Sequence, residues 1–99
     1  MKNLPEPGHY RKIQSKKGLL WQREKGGILL LNPTSGESTL LSGFEAELWD
    51  WLSFLSWRQV VELSAAFLQV SSENAQEQIA HVLSGWIRKR WIEFVEEAE

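Results

Sequence analysis

The 99-residue sequence contains no cysteine. That excludes a disulfide framework and any thiolate metal or redox site, and it gives no reason to expect an oxidising compartment. Histidine is almost as scarce, with only His9 and His81. His9 lies in a proline-bearing leader, His81 falls on the polar face of a helical stretch, and no serine stands in a nucleophile-elbow context, so the parts of a catalytic constellation are missing. His81 and Glu77 have the spacing of a metal pair on one helix face but lack further ligands. Glu73 and Glu77, four apart, read as a solvated face. Gly26-Gly27 reads as a turn and not as a phosphate cradle. The expectation is a protein that is not an enzyme and carries no metal or other cofactor.

Long apolar runs are missing as well. None exceeds four residues, as in Ile28-Leu29-Leu30-Leu31, whereas a bilayer-spanning helix needs about 20. The stretch MKNLPEPGHYRK has no apolar segment of signal-peptide type. A cytoplasmic protein with no membrane partner is expected. Basic residues become rare after position 25: residues 1–25 hold seven Lys/Arg against two Glu, and residues 26–99 hold four against eleven acidic residues, so the net charge of −2 conceals a basic arm and an acidic body. An acidic body repels phosphate backbones, whose neutralisation supplies much of the affinity for nucleic acid. The arm is either solvated or able to steer an acidic peptide or enzyme toward the fold.

What is present is one domain's worth of chain, 42% hydrophobic, enough for a single core. Residues 1–17 read as a basic arm, irregular over its first eight residues and weakly extended from His9 to Ser15. Leu19-Leu20-Trp21, the turn signal Lys25-Gly26-Gly27 and Ile28 to Leu31 then form a hairpin pattern, whose continuous second strand suits the centre of a sheet. Asn32-Pro33-Thr34-Ser35-Gly36 reverses the chain and returns Glu37 to Leu41 beside that strand. The product is a three-stranded antiparallel meander whose third strand is an edge, with unpaired N–H and C=O groups that must be covered, blunted or used.

Three helices follow. Ser42 to Glu45 has capping-box spacing, and Phe44, Leu48, Trp51, Leu52 and Leu55 share a stripe from which Trp49 points away. Ser56 to Gln59 repeats the box, with Val60, Val61, Ser64, Phe67 and Leu68 on the inner face. The third helix begins after Ser71-Ser72, with Glu73 at its positive pole, Arg88-Lys89-Arg90 at its negative pole, and a stripe of Ala75, Ile79, Val82, Leu83, Trp86 and Ile87. Trp91 to Phe94 is a short apolar close, followed by an acidic tail over residues 96–99. Of the six tryptophans, Trp51 and Trp86 are expected in the core, and Trp49 and Trp57 at the surface. Trp91 is either a contact patch beside the basic cluster or a cap folded back on the core.

The fold class expected is α+β and winged-helix-like, a three-stranded antiparallel sheet followed by three helices. Within that order, "GGILLLNPTSGESTLLSGFEAELWDWLS" resembles the core of the PqqD family. An apolar strand and turn lead to a second strand ending in Leu41-Ser42, then to a helix carrying Leu48-Trp49; Val60-Val61 and the stretch from Leu83 to Ile92 match later apolar positions. The resemblance covers about residues 18–94, so residues 18–95 are read as a PqqD-like recognition domain. Trp91 stands where the family commonly has Gly, and Ser42 and Phe44 where it commonly has Asn and Thr.

The resemblance implies a RiPP recognition element, a peptide chaperone of natural product biosynthesis. Such a domain binds the leader of a ribosomally synthesised precursor peptide and presents the core to a maturation enzyme such as a radical SAM enzyme, a cyclase or a leader protease. The leader is held as an added strand between the third strand and third helix. Carried onto this sequence, the strand side is Glu37, Ser38, Thr39, Leu40 and Leu41, and the helix side is Gln76, Ala80, Leu83 and Ile87; Leu83 and Ile87 are equally readable as core. Two free edges can also satisfy one another, giving a homodimer. Two other readings compete. A winged-helix regulator would place the third helix in a nucleic-acid groove, yet residues 73–87 hold no Lys or Arg and two Glu. A structural docking subunit of an enzyme complex would protect the sheet edge.

Overall fold

The computed structural model describes residues 10–15 and 18–96, with side chains from 18 to 92. The irregular leader and the last residues of the acidic tail lie outside the described residues. Strand β1 (Tyr10–Ser15) is followed by β2 (Leu20–Glu24), β3 (Gly27–Asn32) and β4 (Glu37–Leu41), then by helices α1 (Gly43–Phe54), α2 (Trp57–Leu68) and α3 (Ser72–Arg88), and finally by β5 (Ile92–Glu96). This is an α+β fold in which a three-stranded antiparallel sheet, ordered β2-β3-β4, precedes three helices.

The meander forms where the turns dictate. Glu24 pairs with Gly27 across Lys25-Gly26, and Asn32 pairs with Glu37 across Pro33 to Gly36. In that second turn the Asn32 carbonyl accepts from the Gly36 N–H at 2.7 Å, and the Asn32 side-chain oxygen accepts from the Thr34 N–H at 3.0 Å. Gly27 is held at φ 148°, and a Cβ there would stand 1.8 Å from the Leu41 carbonyl oxygen. Only glycine lets β3 begin so close to the end of β4.

The pleat then sorts the side chains. Ile28, Leu30 and Leu41 are buried against the helices, while Leu20, Leu31 and Leu40 stand on the outer face, Leu40 at 52% exposure. On the inner side a chain of edge-to-face rings, Trp21 to Trp49 at 5.9 Å and Trp49 to Trp86 at 5.2 Å, ties β2 to α1 and α3. Arg23 adds an ion pair to Asp50 on α1 at 2.5 Å. Trp49 is therefore central to the core, not turned away from it. The stripe of α1 alone does not show this, because α1 is packed from more than one side, by α2, β3 and β1.

Capping follows the sequence in two helices out of three. Ser56 and Gln59 form a reciprocal capping box at α2, and the Ser71 hydroxyl accepts from the Asn74 N–H at α3. Ser42 is the N-cap of α1 but makes no side-chain capping bond. Gly43 sits at φ 60°, which swings the chain off the right-handed helical path just where the Ser42 hydroxyl would have to meet the amide three residues on. Phe67 also departs from expectation: instead of joining the inner face of α2 it is 49% exposed and packs its ring against Phe44 and Trp51 at 6.0 Å each. Trp51 shares this half-buried cluster rather than the core, and Trp57 is likewise half-buried.

The largest addition to the expected architecture is a second, two-stranded sheet. β1, part of the presumed arm, pairs antiparallel with β5, part of the presumed apolar close and tail, from Ser15 opposite Ile92 to Tyr10 opposite Glu96. Neither segment has a marked period-2 pattern, and the two lie at opposite ends of the sequence. Only the fold, by bringing β1 beside α1 and β5 beside α3, makes them neighbours.

Candidate functional site

Among the described residues β4 pairs with β3 alone, so alternate residues along its other side leave N–H and C=O groups without ladder partners. This edge is short and polar: Glu37 and Ser38 are exposed, Thr39 is half-buried, Leu40 faces outward, and Leu41 is buried at the end of the strand. The Glu37 N–H is already engaged, donating to the Ser35 hydroxyl at 3.2 Å.

Facing this edge is the turn that ends α3. Lys89 closes the helix, Arg90 adopts the left-handed conformation at φ 62°, and two bonds complete the turn: Arg90 N–H to the Ile87 carbonyl and Trp91 N–H to the Trp86 carbonyl, both 2.9 Å. These are the two bonds of a Schellman motif, normally built on glycine. The motif brings Trp91 into the hydrophobic cluster that holds Trp86 and fixes it at 9% exposure. The Lys89 ammonium lies over the Trp91 ring, 4.7 Å from its centroid, a cation–π arrangement.

Between strand and turn lies a groove of about 460 Å³, lined by Asn32, Glu37, Ser38 and Thr39 on one side and by Lys89 and Trp91 on the other. No family model, curated protein or solved structure matches this chain.

The residues expected to line such a site separate into three groups. Glu37, Ser38 and Thr39 line the groove. Leu40 and Leu41 continue the same edge strand, their side chains on the outer face and in the core respectively. On α3, Gln76 is exposed, Ala80 and Ile87 are half-buried, and Leu83 is a core residue at 1% exposure; none of these four lines the groove. The helix side is supplied instead from beyond the helix, by Lys89 and Trp91, and the strand side is extended by Asn32. Trp91 packs into the core cluster, as the folded-back reading expects, and also lines the groove. Among the described residues no cluster of three or more His, Cys, Asp or Glu is placed to hold a metal ion, and no helix is long and apolar enough to cross a membrane.

Proposed function

We propose that this chain binds the leader segment of a ribosomally made precursor peptide as an added strand on β4, without catalysing a reaction itself, and presents the peptide to a modifying enzyme. The observation that carries this reading is the coincidence of an unpaired strand edge with a groove of peptide-accommodating size along it. An extended peptide placed there would satisfy the β4 main chain with its own. Alternate side chains would point into the groove, so that backbone bonding supplies affinity and the groove supplies selectivity. The resemblance of residues 18–94 to the PqqD family supports the same mode. Charge disfavours nucleic acid: Glu73 and Glu77 are exposed on α3, residues 73–87 carry no Lys or Arg, and the groove sets the Glu37 carboxylate against Lys89, the one cation among its described lining residues.

Titrating the isotope-labelled full chain with the leader segment of a short peptide encoded beside it tests the reading. The expected result is a set of amide shifts confined to residues 37–41 and 89–92. Shifts restricted to β2 or to α2 would defeat the assignment. A parallel titration with duplex DNA at low salt is expected to move nothing.

A further inference from the structure

If β4 accepts a peptide strand, the chemistry of the facing turn says what that strand must carry, and this step rests on the strand-addition reading. Three features converge on Lys89. Its side chain is exposed at the groove, where it forms part of the lining. No carboxylate among the side chains described, residues 18–92, pairs with it, although Glu37 shares the groove. Its ammonium is held over the Trp91 ring at 4.7 Å, a ring that is itself fixed by the Schellman turn. A lysine normally loses much rotamer freedom when it engages a ligand. Here the ring has already restricted it, while N–H donors of the ammonium stay available for an oxygen acceptor.

We infer that the helix-side end of the groove is a subsite for a side-chain carboxylate, so that the recognised peptide carries Asp or Glu at one position opposite Lys89. Glu37 makes that preference local. It lies on the strand-side wall and repels a second carboxylate from the start of β4, so acid is favoured at one position and not along the whole peptide. General attraction between a basic arm and an acidic peptide would instead spread over every position.

A positional-scanning library of short peptides, acetylated and C-terminally amidated, displayed to the full-length protein and its Lys89 variants, separates these cases. On the unmodified chain, Asp and Glu should be enriched at a single position. Lys89→Gln should flatten that position, and Lys89→Glu should invert it toward Lys and Arg, with affinity for the acidic peptides falling roughly fivefold, the size expected for a partly solvated ion pair. Lys89 is exposed, so neither variant threatens the fold. No acidic preference, or one that Lys89→Glu leaves intact, overturns the subsite. A Lys89-dependent gain seen only for peptides with a free C-terminus would overturn the side-chain assignment in favour of a terminal carboxylate. Strand addition is judged separately: bound peptides that leave the amides of residues 37–41 unmoved defeat that reading whatever their charge, and a library with no binder defeats both.

Discussion

β4 and β5 are both five-residue strands flanking the turn that ends α3, and they differ in what lies beside them. β5 leaves that turn and finds its ladder partner inside the chain, in β1. β4 has its partner in β3 and faces the same turn across the groove. Each strand thus keeps one side unpaired among the described residues, and the difference is that the groove lined by Lys89 and Trp91 runs along β4. An unpaired edge with a groove beside it can seat a peptide's side chains as well as its backbone, which is why the β4 side carries the binding proposal and the β1–β5 ribbon does not.

The comparison breaks first at Gly27. Replacing it with Ala would drive a Cβ to 1.8 Å from the Leu41 carbonyl oxygen at a φ of 148°, so both the backbone conformation and the spacing between β3 and β4 must give way. The expected loss is roughly 3–5 kcal/mol, combining left-handed strain with overpacking. Urea denaturation would measure it, and a loss below about 1 kcal/mol would mean that β4 is held by something other than its pairing with β3. A proline at Ile13, opposite Phe94 in the ribbon, should cost less, about 1–2 kcal/mol for a disrupted ladder position. It should leave peptide affinity at β4 unchanged. If Ile13→Pro abolished binding, the two strands would not be the independent regions described above.

Legibility in the sequence divides along the same line. The β2-β3-β4 meander was readable because its turns are local chemistry: Lys25-Gly26-Gly27 and Asn32 to Gly36 announce reversals, and Ile28 to Leu31 announces a central strand. The helices were readable from Ser56, Ser71 and their apolar stripes. β1 and β5 were not, because a ribbon between opposite ends of the chain leaves no local turn to read. Trp49 departs from expectation for a related reason, since a single helix's stripe does not report the rings of Trp21 and Trp86 that approach it from β2 and α3. At the site, the strand half of the groove followed from β4 being an edge. The helix half did not, because periodicity selects residues on α3 itself, such as Gln76 and Ala80, whereas the groove is lined from the turn beyond. A glycine at position 90 would have signalled that turn, and the chain has arginine there.

Arginine at that joint gives the smallest and most diagnostic change. Arg90 holds φ 62°, a conformation that costs an L-residue about 1–2 kcal/mol and glycine almost nothing. Against that gain stand the extra unfolded-state freedom of glycine and the loss of a positive charge near the negative end of α3, a few tenths of a kcal/mol or more between them. Arg90→Gly should therefore stabilise the chain by up to about 1 kcal/mol, seen as a rise in Tm of about 5 °C for a domain of this size. The turn would keep its two 2.9 Å bonds, so Trp91 would stay in place, the Lys89 ammonium would stay over its ring, and peptide affinity would be unchanged. Because the joint feeds both the groove and the ribbon, a variant that stabilises the fold yet weakens binding would show that Arg90 itself touches the peptide, and the helix-side wall would then have to be extended from Lys89 to include it.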